Sequence, residues 1–180
     1  MPWIILDRDG VINEDSDAYI KSPDEWRPIP GSLEAVAALT RGGFSIAVLS
    51  NQSGVARGLF DLNMLDAINA KMFAAVESAG GRIDALFFCP HGPDDHCACR
   101  KPKPGLFERF ARERHVDLTA VPAIGDSYRD LQAARATGAS PILVRTGKGR
   151  RTLEKHPDPG CPVFENLHEA AQFLLSSRPH

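Results

Sequence analysis

The sequence contains no apolar run approaching the length that spans a bilayer, and its N-terminal apolar stretch stops at Asp7. A membrane helix needs about 20 consecutive apolar residues, and a secretory leader needs a longer apolar core than this stretch offers. No membrane association is therefore expected, and the reading is a cytoplasmic protein. An excess of either charge is also missing. With 21 Lys and Arg against 23 Asp and Glu, the net charge is −2 and the pI about 6.3, so no nucleic-acid partner is expected. The one concentrated basic segment, Arg145 to Lys155, reads as a solvated connection. Cysteine is scarce: Cys89, Cys97 and Cys99 fall close together, and Cys161 stands apart as a structural residue. That clustering suits a metal site in a reducing compartment better than a disulfide framework. Internal repeats and low-complexity tracts are absent. What remains is 180 residues, 43% hydrophobic and 24% charged, which predict one globular domain over residues 1–180.

Strand-like apolar runs alternate with helix-like stretches. Ile4-Ile5-Leu6 opens the series as a strand buried on both faces. A helix is predicted where Leu33, Val36, Ala37 and Leu39 share a face before Gly42-Gly43, and "FSIAVLS" follows as a second strand. A longer helix covers about Leu62 to Ala79, then "IDALFFC" makes a third strand. Pro104 opens a helix through about His115, "VPAIGD" is a fourth strand, "YRDLQAARATG" a helix and "SPILVRT" a fifth strand. Gly147 to Pro162 reads as a surface connection before a final short strand and a helix over about Leu167 to Leu175. This order predicts an α/β fold, a doubly wound parallel sheet with helices on both faces.

Ligands of such sheets gather outside the carboxyl ends of the strands. Three predicted strands end there in polar groups: Asp7 and Asp9 with Gly10 behind them, Ser50 with Asn51, and Asp126. Asp and Gly also favour turns, and "LDRDG" alone does not separate a turn from a site. The loop "CRKPKPG" brings Arg100, Lys101 and Lys103 to the same edge. Carboxylates, a hydroxyl, an amide and cations in one crevice suit phosphoryl transfer, with oxygen ligands for magnesium and donors for the phosphoryl oxygens.

"LDRDG", "LSNQSG", "RKPKPG" and "IGDSYRD", in this order, resemble the four motifs of the haloacid-dehalogenase superfamily of phosphatases. With "NQSGVARGLF" and "CPHGPDDHCAC" added, the chain is most similar to the heptose bisphosphate phosphatase family, which is itself close to the histidinol-phosphate phosphatases. The likeness runs from about Trp3 to Thr146. It implies a Rossmann-like fold without a separate cap domain, and a magnesium-dependent phosphomonoester hydrolase. Asp7 is then the nucleophile and Asp9 the acid and base. Magnesium is held by Asp7, the backbone carbonyl of Asp9, and Asp126. Ser50 holds phosphate oxygens and Lys101 compensates charge, while Asp15, Tyr19, Asn51, Gln52, Ser53, Arg57 and Arg100 surround the substrate. Ser50 replaces a common threonine and keeps the hydroxyl. Ser127 stands where relatives carry an acid or a lysine and is left out of the metal's ligands; Asp130 supports the site or caps a helix. The implied substrate is a small sugar bisphosphate, acted on by a monomer in supply of heptose for the cell envelope. A histidinol-phosphate phosphatase and a zinc-supported binding module without catalysis are the alternatives.

Cys89, His91, Cys97 and Cys99 form a C-x-H-x5-C-x-C pattern, which offers three thiolates and an imidazole. That is a full tetrahedral shell with no open position, the mark of a structural zinc site in a zinc-binding loop. His96 competes with His91 for the imidazole position. His115, His156, His168 and His180 stand alone and read as surface residues.

Overall fold

The computed structural model describes residues 1–178. Its strands are β1 (Trp3–Leu6), β2 (Ser45–Asn51), β3 (Ala85–Cys89), β4 (Pro122–Gly125), β5 (Ser140–Val144) and β6 (Val163–Phe164). Interleaved with them are α1 (Ser32–Arg41), α2 (Leu62–Ser78), α3 (Gly105–Arg114), α4 (Tyr128–Ala136), α5 (Gly149–Lys155) and α6 (Leu167–Ser176). All six strands run parallel in the order β3-β2-β1-β4-β5-β6. This is the doubly wound α/β class.

The strands alternate their side chains between two apolar layers, as a period of two requires. Ile4, Leu6, Ile46 and Val48 pack with Val36 and Leu39 of α1, Ile68 and Met72 of α2, and Ala170 of α6. Ile5, Ala47, Leu49 and Phe87 face the other way, onto Leu106 and Phe110 of α3 and Ala133 of α4. Trp3 and Phe87 both meet the Phe110 ring edge-on, at 5.1 and 5.9 Å. A sheet covered on both faces leaves its strand ends as the place for polar chemistry.

Winding reverses between β1 and β4, which are hydrogen-bonded neighbours. A crevice therefore opens outside their carboxyl ends, and Asp7 and Asp126 follow directly on those two strands.

Three expectations need correction. Gly147 to Pro162 is not merely a surface connection, because it contains α5. Only Gly149 and Thr152 of that helix are buried, so no apolar stripe announces it. The basic segment Arg145 to Lys155 is likewise not simply solvated: Lys148 reaches the crevice. Lys103 does not join the cations in the crevice. It lines a separate recess of about 220 Å³ and donates to the Cys97 carbonyl at 2.7 Å. His115 and His168 are exposed as expected, His156 stacks at 3.7 Å on Tyr128, and His180 lies outside the described residues.

Candidate active site

A cavity of about 450 Å³ lies at the switch point. The carboxylates of Asp7, Asp9 and Asp126 line it together with Lys101 and Asp130. Asp15, Tyr19, Arg57 and Arg100 form its outer wall, joined by Arg129 and Lys148, which sequence reasoning missed.

Lys101 sits at the floor, 3% exposed, where a buried ammonium requires partners. It is 3.3 Å from Asp7 Oδ1 and 2.7 Å from Asp130 Oδ1, and it donates to the Leu49 carbonyl at 2.8 Å. Burial opposes its charge, but Asp130 and then Asp7 outweigh it and hold the ammonium above the usual lysine range. The loop carrying Lys101 is clipped to β2, since Asn51 exchanges two hydrogen bonds with the Lys101 backbone at 3.0 and 3.1 Å. Asn51 lines the cavity, yet its side-chain amide is engaged in that clip.

Asp130 does both things expected of it. It closes a capping box with Ser127 at the start of α4, and it pairs with Lys101. Its Oδ2 accepts from the amides of Asp126 and Ser127 and from the Ser127 hydroxyl. Burial works against its ionisation, but Lys101 and the Ser127 bonds outweigh that and keep the carboxyl below its ordinary range.

Asp7 and Asp126 behave oppositely. Burial, only partly offset by the charge of Lys101, pushes the Asp7 carboxyl up to about 7. Burial together with the charges of Asp7 and Asp130 pushes Asp126 well above its usual range. Oxygens of Asp7, Asp126 and Asp130 lie within 4.8 Å of one another. Because Asp130 is spent on Lys101 and on the capping box, Asp7 and Asp126 are left as a repelling pair of hard oxygen donors. That donor set fits a magnesium ion.

Asp9 is held apart from this pair. Arg8, 1% exposed, donates to both of its oxygens at 3.0 and 3.2 Å, Asn13 donates at 2.9 Å and Gln52 at 3.1 Å. Burial raises the Asp9 carboxyl, but Arg8 and these donors outweigh it and bring it below the usual range. Arg8 is in turn fixed by Asn69 of α2 at 3.1 Å. Ser50 lies under the floor, where its hydroxyl accepts from Gln52 at 2.7 Å. Ser53 lines the cavity beside Gln52.

On the outer wall the Arg57 guanidinium stands 5.7 Å from the Tyr19 ring centre, and Lys148 Nζ lies 3.4 Å from Asp15. Arg100 is lowered by partial burial and by the neighbouring charge of Arg129. The three guanidiniums of Arg57, Arg100 and Arg129 at the mouth of an acid-floored cavity are suited to an anionic group held away from the floor.

Beside Arg100, the side chains of Cys89, His91, Cys97 and Cys99 converge, each offering one donor within 4.8 Å of the others. His91 Nδ1 is 3.4 Å from Cys89 Sγ and 3.3 Å from Cys99 Sγ, and Cys89 is 3.7 Å from Cys97. Zinc–sulfur bonds near 2.3 Å and zinc–nitrogen bonds near 2.0 to 2.1 Å place tetrahedral sulfurs about 3.8 Å apart and a nitrogen about 3.5 Å from a sulfur, so these three edges fit. The Cys89–Cys99 edge, at 2.8 Å, is shorter than that spacing. His96 is outside the cluster and faces the smaller recess. Arg100 donates to the His91 carbonyl at 3.4 Å, which joins this loop to the cavity wall.

The chain matches two family models, polynucleotide kinase 3 phosphatase over residues 4–129 and HAD-hydrolase-like over residues 98–170. It is 56% identical to the D-glycero-β-D-manno-heptose-1,7-bisphosphate 7-phosphatase of Bordetella bronchiseptica, over 97% of this chain and 98% of that one. The enzyme of the same name from Pseudomonas aeruginosa is 51% identical over 96% and 97% of the two chains. Among solved structures, the D,D-heptose 1,7-bisphosphate phosphatase from B. bronchiseptica complexed with magnesium and phosphate aligns with a TM-score of 0.96. That alignment has 55% identity and covers 99% of this chain and 100% of the other.

Proposed function

This chain belongs to the D-glycero-β-D-manno-heptose-1,7-bisphosphate 7-phosphatases of the haloacid-dehalogenase superfamily, and we propose that it hydrolyses the 7-phosphate of that sugar bisphosphate through Asp7. The observation that carries this reading is the placement of Asp7 and Asp126 on the two sides of the switch point. Lys101 lies beside Asp7, and Asp9 is held separately by Arg8.

Asp7 Oδ attacks phosphorus as the bond from phosphorus to the sugar oxygen breaks, and Asp9 gives its proton to that oxygen. Water then attacks the aspartyl-phosphate, Asp9 takes a proton from it, and inorganic phosphate leaves. The Arg8 grip keeps Asp9 ionised in the substrate-free site, the state needed for the second half. An arriving phosphate dianion adds like charge beside Asp9 and so favours its protonation for the first half. Asp7, Asp126 and the Asp9 backbone carbonyl would hold magnesium, which supplies positive charge that lets two anions meet. Lys101 offers charge to the phosphoryl oxygens from beneath. Ser50, placed under the floor, orients the Gln52 side chain.

Arg57, Tyr19, Asp15 and Arg100 hold the sugar and its second phosphate, and Lys148 and Arg129 complete that wall. The cysteine and histidine cluster takes a structural zinc. One chain supplies every group of the site, which supports a monomeric working unit built as one domain. Clustered free thiols suit a reducing cytoplasm, and no described helix is long and apolar enough to cross a membrane.

Phosphate release should be measured with wild type and Asp7→Asn on heptose 1,7-bisphosphate, histidinol phosphate and a 3′-phosphorylated DNA end. Turnover of the first substrate alone, abolished by Asp7→Asn, is expected. Faster release from either of the others would reassign the substrate.

A further inference from the structure

The segment from Thr146 to Thr152 ties together the two loops that carry the acidic pair. The Thr146 hydroxyl donates to the Gly10 carbonyl at 2.6 Å, three residues beyond Asp7. The Lys148 amide donates to Asp126 Oδ2 at 2.8 Å, the one hydrogen bond that this carboxylate accepts among the described residues. The hydroxyl of Thr152, a residue 7% exposed, has two carbonyls within donating distance, that of Asp126 at 2.9 Å and that of Lys148 at 3.0 Å.

Close packing makes this arrangement specific. A Cβ at Gly147 would collide with Asp126 Oδ2 and with the Gly10 backbone, and a Cβ at Gly10 would collide with the same carboxylate oxygen. Both glycines have positive φ, at 55° and 84°, so no side chain is accommodated there without strain. The Asp126 carboxylate is wedged between two glycines, with Oδ2 committed to an amide and Oδ1 without a hydrogen bond among the described residues. From the other side, Asp130 fixes the Asp126 backbone amide.

We infer that the Thr146–Thr152 segment is a positioning element of the magnesium site: it clasps the Asp7 loop to Asp126 and selects which Asp126 oxygen meets the ion. The inference rests on the reading of Asp7 and Asp126 as magnesium ligands. Two mutually repelling carboxylates separate or rotate unless something holds them. Groups that orient a metal's ligands typically contribute about ten- to a hundredfold in affinity. Here the orienting bonds come from a backbone amide and two threonine hydroxyls.

Magnesium binding to the full chain without substrate should be followed by calorimetry, with metal-free melting measured alongside. Thr146→Val and Thr152→Val, which keep shape and remove the hydroxyl, should each weaken magnesium binding about tenfold. Thr152→Ser restores the donor and should bind near the wild-type level. Lys148→Ala keeps the amide and should leave magnesium affinity unchanged while raising KM. Valine variants that melt lower but bind magnesium like wild type would reduce the segment to a structural role and overturn the inference. If Thr152→Val does not fold, Thr146→Val decides: unchanged affinity overturns the inference, and a tenfold loss supports it. Asp126→Asn separates the two claims, because unchanged magnesium affinity in that variant would instead defeat the underlying assignment of the site.

Discussion

Arg8 and Asp9, adjacent in sequence, form a forked ion pair at 3.0 and 3.2 Å, and the guanidinium is anchored at its far side to Asn69 of α2. The strand end therefore presents its two carboxylates in different electrostatic states, Asp7 raised by burial and Asp9 lowered by Arg8 despite burial. The proposed division of labour, Asp7 as nucleophile and Asp9 as proton carrier, draws on that difference.

Arg8→Met should uncouple the two roles. Asp9 loses its orientation, and kcat should fall on the order of 10²-fold, while magnesium affinity changes little because the ion's ligands are untouched. A drop in magnesium affinity without a drop in kcat at saturating metal would place Arg8 in the metal site instead. Steady-state kinetics across a magnesium titration distinguish the outcomes.

Lys101→Met removes the cation shared by Asp7 and Asp130. Breaking a buried pair costs about 3 to 5 kcal/mol, and loss of a charge at the phosphoryl group should lower kcat by about 10²- to 10³-fold. Thermal unfolding and kcat should both respond. A variant as active as wild type would exclude Lys101 from charge compensation.

Magnesium binding should depend on pH through Asp7, whose carboxyl is pushed up to about 7 by burial. The ion needs the ionised form, so below pH 7 a proton must leave as magnesium enters. Apparent affinity should therefore weaken as pH falls, by up to about tenfold per pH unit for each of the raised carboxyls, Asp7 and Asp126, that must lose a proton. The sign is that of a raised acid: neutral and favoured without metal at low pH, ionised and competent at high pH. Calorimetry in buffers of different ionisation enthalpy measures the released proton, and a flat profile from pH 6 to 8 would contradict the raised value.

The strand ends were legible in the sequence because they rest on local patterns. Ile4 to Leu6 is an uninterrupted apolar run, and Asp7, Asp126 and Cys97–Cys99 stand at its end, at the end of a similar run and in a spaced cluster. Arg8 was not legible: its burial depends on Asn69, 61 positions away. The clasp at Lys148 was hidden for a different reason. It acts through a backbone amide that every residue except proline possesses, and α5 buries too few side chains to carry a helical period. Lys103 was misplaced because position in a loop does not determine which way a long side chain turns.

Zinc should be present at one ion per chain, and its removal should act on stability before chemistry. Chelation, or Cys99→Ala, should lower the melting temperature on the order of 10 °C. It should also raise KM through Arg100, which is tied to the His91 carbonyl. Added magnesium should not restore the loss. Metal analysis with melting curves checks this, and a zinc-free preparation with unchanged melting would contradict a structural ion.

The most direct test of the catalytic reading is a phosphorus NMR time course with D-glycero-β-D-manno-heptose 1,7-bisphosphate, magnesium and the full chain. The C7 phosphate signal should disappear as inorganic phosphate grows, the C1 phosphate signal should persist, and Asp7→Asn should leave both unchanged. Loss of the C1 phosphate first, or equal release by Asp7→Asn, would contradict the account.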